Sequence, residues 1–188
     1  MDDKELVSLI VEQGKVDEGF RVLLKTYQER VYWHIRKMVY DHDDANDIAQ
    51  NTFIKIYKNL NKFKGDSKLY SWIYRIATNE AITFINQKKK RDDVSFEDVS
   101  YSLAQNLEAD EFFDGDEIEV LLQQCIAQLP EQQRLVFQMK YFDDMKYEEI
   151  AEVLQKSIGG LKANYHHAVK KIKELLEMKT VNNQNIIQ

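Results

Sequence analysis

The sequence predicts an all-α protein made of two small helical units joined by a flexible acidic linker. Three observations predict it. Apolar residues recur at spacings of three and four through most of the chain. The 188 residues include one proline, Pro130, and six glycines, fewer turn residues than sheets and long loops need. One stretch, residues 92–115, breaks the helical period and is strongly acidic.

The elements follow in order. Asp2–Gln13 reads as a short helix with Leu6, Leu9 and Ile10 on one face, ended by Gly14. Asp17 is placed to cap the next helix, whose inward set is Phe20, Leu23, Leu24, Tyr27, Val31, Ile35 and Met38. Asp41–Asp44 closes that helix and offers N-cap carboxylates to a third, with Ile48, Ala49, Thr52, Phe53, Ile56 and Leu60 inward. Asn61–Lys68 has turn chemistry. A fourth helix, Leu69 to about Gln87, runs into Lys88-Lys89-Lys90-Arg91. Residues 92–115 read as a flexible connector. Helical pattern resumes at Asp116, with Ile118, Leu121, Leu122 and Ile126 inward, and stops at Leu129-Pro130. Glu131–Tyr141, Tyr147–Leu154 and a long helix to about Met178 complete the chain, followed by a frayed tail. The expected domains are therefore 1–91 and 116–179, with 180–188 as tail.

The formal net charge of −6 conceals a strong asymmetry. Met1–Arg91 holds 17 basic and 13 acidic side chains, and Arg134–Gln188 holds 9 and 7. Asp92–Gln133 holds 12 acids and no Lys or Arg, so all the net negative charge lies in the middle. Met1–Arg91 and Arg134–Gln188 are each net basic and suited to nucleic acid. No apolar run approaches the ~20 residues of a membrane span, and the acidic N-terminus is not a signal peptide. The single cysteine, Cys125, excludes an internal disulfide and reads as a buried packing residue in a reduced, cytoplasmic setting.

Three constellations carry chemistry. Tyr147–Lys173 has the helix–turn–helix pattern: a short helix, a tight turn, then a longer helix that Ser157 can cap. Lys162, Asn164, His166 and Lys170 would project outward near its start, where Lys and Asn suit groove edges and phosphates. An ordinary helical hairpin with a solvated face is the alternative. The fourth helix interleaves Trp72 and Tyr74 with Arg75, Thr78, Asn79 and Thr83 before its basic end, a set that suits single-stranded DNA. The alternative places both aromatics in the core. On the third helix Asp44, Asp47, Gln50 and Asn51 share a face, with Ile48, Ala49 and Phe53 behind, which suits a basic protein partner. A solvated face is the alternative there. His34, His42, His166 and His167 form no metal spacing with Cys or carboxylates, so no metal or cofactor is expected. No phosphate-binding loop, nucleophile elbow or carboxylate pair points to an enzyme.

Taken together these motifs resemble the extracytoplasmic-function (ECF) group of the sigma-70 family, the dissociable promoter-recognition subunits of bacterial RNA polymerase. The segment DDANDIAQNTF (Asp43–Phe53) is similar to that family's polymerase-binding helix. FKGDSKLYSWIYRIATNEA (Phe63–Ala81) is similar to its promoter-melting segment. LPEQQRLVF (Leu129–Phe137), YEEIAEVL (Tyr147–Leu154) and SIGGLKANYHHA (Ser157–Ala168) are similar to its C-terminal helix-turn-helix unit. The resemblance covers roughly residues 5–178 in the right order.

The resemblance implies roles. Asp44, Asp47, Gln50, Asn51 and Phe53 would bind the clamp helices of the largest polymerase subunit, and the flap would be a further polymerase contact. Phe63, Lys64, Ser67, Trp72, Tyr74, Arg75, Thr78, Asn79, Thr83 and Lys88 would open and read the minus-ten element. Ser157, Lys162, Asn164, His166, His167 and Lys170 would face the minus-thirty-five element. The acidic connector would thread the active-centre cleft and RNA exit path, where its charge mimics nucleic acid. Cytoplasmic placement, with nucleoid association when polymerase-bound, follows. An anti-sigma factor or a DNA-bound recruiter would supply regulation, since no sensing domain is expected in the chain. Departures are Asn46 and Asn51 where the family usually has Glu, Gly160 where Thr is common, and His167 where Arg is usual. Two other readings are a stand-alone helix-turn-helix regulator and a sigma mimic that binds polymerase or an anti-sigma factor without reading promoters.

Overall fold

In the computed structural model, residues 3–92, 104–105 and 116–186 are described. Helix α1 is Asp3–Val7, continued by a π-helical turn over Ser8–Glu12. Then come α2 (Val16–Val39), α3 (His42–Leu60) and α4 (Leu69–Asp92). The C-terminal unit is α5 (Glu117–Ala127), α6 (Glu131–Tyr141), α7 (Tyr147–Leu154) and α8 (Ile158–Ile186). Among the described residues there is no strand.

Local chemistry fixes the boundaries. The Asp41 carboxylate accepts from Asp44 N–H at 2.9 Å and starts α3; Asp116 does the same for α5 through Glu119 N–H at 2.9 Å. Ser157 Oγ accepts from Gly160 N–H at 3.2 Å and caps α8. The Glu149 carboxylate reaches back to Lys146 N–H at 2.8 Å and starts α7. Helix α2 departs from expectation, because it begins at Val16 and leaves Asp17 in the first turn, a favourable end for a carboxylate but not the cap. Its other end is Tyr40, in the left-handed region at φ 60°, with its N–H bonded to Arg36 O.

The six positions that spacing marks inward on α3, Ile48, Ala49, Thr52, Phe53, Ile56 and Leu60, are all buried, and Ala45 joins them. In α5 the inward register differs from expectation. Ile118 is 74% exposed and Val120 takes the core position. The reason is that α5 enters the core only from its second turn, where Val120, Gln123 and Ile126 point inward. The chain after Met178, expected to fray, continues as helix to Ile186. The expected flexible connector lies mostly outside the described residues; the described pair Ala104 and Gln105 is helical, and Ala104 is fully buried.

The two units are not separate bodies. One continuous core runs from Leu23, Ile35 and Ile73 in the N-terminal unit to Leu135, Met139, Ile150 and Leu161 in the C-terminal unit. A second cluster, Cys125, Ile126, Leu129, Phe137, Ala168 and Ile172, pins α5 and α6 to α8. Helix α7 lies against α4, so the two helical units meet along a seam.

Candidate functional site

Helices α2 and α3 pack antiparallel and leave a groove of about 690 Å³ between their outer faces. Phe20, Leu24 and Tyr32 line it from α2, and Asn46, Ala49, Gln50, Phe53, Ile54 and Tyr57 from α3. Ile54 is 50% exposed and Tyr57 47%, a large apolar surface left open to solvent. Its polar edge is fixed: Tyr32 Oη lies 2.8 Å from His42 Nδ1, and Asn46 Nδ2 lies 2.9 Å from His42 Nε2. Of the expected partner-binding residues, Gln50 and the buried Phe53 line the groove, while Asp47 and Asn51 stand exposed beside it. Asp44 sits at the rim, 4.0 Å from Lys88 Nζ. Partial burial raises its carboxyl pKa, as does neighbouring Asp41, while Lys88 opposes the shift. Phe20 and Leu24, expected in the core, are only half-buried and face this groove. The signal available in sequence was the width of the apolar face of α3: Ile54 and Tyr57 extend it beyond what one neighbouring helix covers.

The predicted DNA face of α4 divides in two. Phe63 is buried and packs in a tilted arrangement against half-buried Trp72 with ring centroids 5.2 Å apart, while Lys64 is exposed and Ser67 half-buried. Asn79 and Thr83 are exposed, and the Thr83 hydroxyl donates to Asn79 O at 2.7 Å. Arg75 and Lys88 are half-buried. Tyr74 and Thr78 lie elsewhere than expected. They are 2% and 1% exposed, because they turn toward α2 and the C-terminal unit. The Tyr74 ring packs at a tilt against Tyr70, with centroids 4.3 Å apart. Burial raises the pKa of its hydroxyl far above the ordinary value, and the nearby Asp143 carboxylate adds to the rise.

In the C-terminal unit the turn between α7 and α8 passes through Gln155, at φ 54°. Exposed on the first turns of α8 are Ser157, Lys162, His166, His167 and Lys170, with Asn164 half-buried beside them. The Lys162 ammonium lies 5.7 Å from the Tyr147 ring centroid, which holds it over the turn. Opposite this face, Leu161 and Ala168 bury against α7 and α6, so packing orients the polar face outward. Among the described residues no group of three or more His, Cys, Asp or Glu side chains is arranged to hold a metal, and no helix is long and apolar enough to cross a membrane.

Comparison with known proteins bears on this arrangement. The family described as Sigma-70 region 2 matches residues 23–91, and Sigma-70, region 4 matches residues 119–172. The RNA polymerase sigma-H factor of Pseudomonas aeruginosa is 33% identical over 194 aligned positions, covering 93% of this chain and 94% of its own. The chain belongs to the sigma-70 family, in its extracytoplasmic-function group. The ECF sigma factor SigW of Bacillus subtilis is 31% identical over 175 positions, covering 88% of this sigma factor and 92% of its own chain. Among solved structures, CnrH in complex with the cytosolic domain of CnrY superposes with a TM-score of 0.67 at 19% identity, covering 94% of this chain and 97% of that one. RpoE in complex with the anti-sigma factor NepR from Bartonella quintana gives 0.65 at 18%, covering 84% and 96%. These likenesses place the all-helical fold of the sigma factor beyond its sequence pattern.

Proposed function

We propose that this sigma factor binds core RNA polymerase through the α2–α3 groove and directs it to promoters. In this reading the apolar floor formed by Phe53, Ile54 and Tyr57 seats the clamp helices of the largest subunit, and Asp47 and Gln50 bond to their basic side chains at the rim. Asn79, Thr83 and Arg75 on α4 meet the opened minus-ten strand. The exposed start of α8 enters the major groove at the minus-thirty-five element, with Lys162 and Lys170 as cationic contacts. The protein supplies recognition and strand separation, with no bond-making chemistry of its own. It works where polymerase works, in the cytoplasm on the nucleoid.

One observation carries the reading: a wide apolar groove on the region 2 unit and an outward polar face on the region 4 helix occur on one chain. A stand-alone DNA-binding regulator has no use for the groove. The test mixes the protein with core polymerase and a library of genomic promoter fragments and maps transcription starts. New starts that appear only with the protein are expected; a start map identical with and without it refutes the reading. The anti-sigma partners of the two superposed structures belong to those proteins. For this chain we infer a regulator of the same kind, covering the same groove in competition with polymerase.

A further inference from the structure

The seam between the two units is held by a specific polar contact, not by apolar packing alone. His34 lies in α2, beside Ile35 and one turn from Val31, both fully buried in the N-terminal core. Its Nδ1 is 2.7 Å from the Asp143 carboxylate, on the turn between α6 and α7 of the other unit. Its Nε2 is 2.9 Å from the hydroxyl of Thr78 on α4. Both side chains of the His34–Asp143 pair are nearly inaccessible, at 1% and 6%. Asp143 gathers further contacts: Lys37 Nζ at 3.8 Å, and the Tyr70 hydroxyl donating to its carbonyl at 3.4 Å. Around it, Gln138 Nε2 donates to Lys37 O at 2.7 Å and Lys68 pairs with Glu149 at 3.0 Å. Lys37 also lies 4.8 Å from the Phe142 ring centroid. All of these contacts except His34–Thr78 join one unit to the other.

We propose that His34–Asp143 is a latch that holds the sigma factor in a closed, promoter-incompetent state. Closure draws the C-terminal unit onto α4 and encloses Tyr74 and Thr78, two side chains of the minus-ten segment. A single DNA strand and the α6–α7 turn cannot occupy that face together. The inference rests on the reading of α4 and the α2–α3 groove given above, since competition with polymerase and promoter follows from it. The groove itself remains open in the closed state, so polymerase can engage region 2 first and separate the units afterwards. A buried hydrogen bond to a charged acceptor shifts such an equilibrium by about ten- to a hundredfold. The apparent affinity for any partner that needs both units apart falls by the fraction of open molecules.

The experiment compares full-length wild type with Asp143→Ala and with Lys68→Glu, the latter at the exposed rim of the seam so that folding is not at stake. Small-angle X-ray scattering reads closure, and titration of core polymerase reads its consequence. The wild type is expected near the compact limit, a radius of gyration of roughly 16 Å for a chain this long. Both variants are expected to expand by several ångströms, with unchanged helicity, and to bind core polymerase about tenfold more tightly. Unchanged scattering in both variants overturns the latch. Expansion without any gain in polymerase affinity overturns its regulatory role. If no form binds polymerase, the proposed function fails instead, and the scattering still decides whether the latch exists.

Discussion

Phe137 offers a sharp test of how the promoter-reading helix is held. Its side chain is buried at the centre of the second cluster. Its ring stacks on Tyr141 at 5.2 Å and on Tyr165 of α8 at 5.8 Å, and meets Phe142 edge-on at 6.3 Å. Truncation to alanine in such a site costs about 3–5 kcal/mol. Each aromatic pair adds about 0.5–1.5 kcal/mol beyond area burial, so two stacked partners put the cost at the upper end. The C-terminal unit is 71 residues, 116–186. At roughly 0.05–0.15 kcal/mol per residue its stability is about 4–11 kcal/mol, so Phe137→Ala removes a large share. For a unit of this size each kcal/mol moves Tm by about 4–8 °C. The expected outcome is a drop of about 15 °C or more in calorimetry, with loss of upstream-element binding in a footprint. Polymerase binding through the α2–α3 groove is retained, because Phe137 belongs to the second cluster, apart from the core that holds Leu23, Ile35, Ile56 and Ile73. Phe137→Leu, which keeps most of the volume, should lose far less. A Tm shift of about 3 °C or smaller in Phe137→Ala would refute the argument that this cluster anchors α8.

Further outcomes are expected at exposed positions. Asp47→Arg reverses a charge at the rim of the groove without touching the core, so core polymerase binding should be lost while the circular dichroism melt stays within about 0.5 kcal/mol of wild type; wild-type affinity removes Asp47 from the interface. Lys162→Ala should weaken upstream-element binding and flatten its salt dependence by about one unit of slope in an anisotropy titration. An unchanged slope means Lys162 does not reach a phosphate. Gln155 holds a left-handed backbone at the turn; a side chain there costs about 1–2 kcal/mol and glycine relieves it, less the added freedom of the unfolded chain. Gln155→Gly should therefore raise the free energy of unfolding, read by chemical denaturation, by up to about 1 kcal/mol, and a fall would show the turn to be unstrained.

Much of the site was legible because its signals are local. The carboxylate of Asp41 and the hydroxyl of Ser157 cap helices through neighbours three residues away, and capping chemistry is written in adjacent side chains. The buried set of α3 follows from helical spacing, and the outward set Lys162, His166 and Lys170 is its complement on α8. The groove was only half legible. Spacing marks Phe20 and Leu24 as apolar positions on α2, but whether a third helix covers them depends on how α2 and α3 splay.

The sequence by itself determined the helical class, the three-part charge distribution and the order of a four-helix unit before a helix-turn-helix unit, because each is written in residues within a few turns of chain. The tertiary structure alone decided that the two units close on each other. His34 and Asp143 are 109 positions apart and neither stands in a recognisable motif. Their pairing, and with it the burial of Tyr74 and Thr78, depends on how two folded surfaces dock, and no periodicity in either segment encodes the other's position.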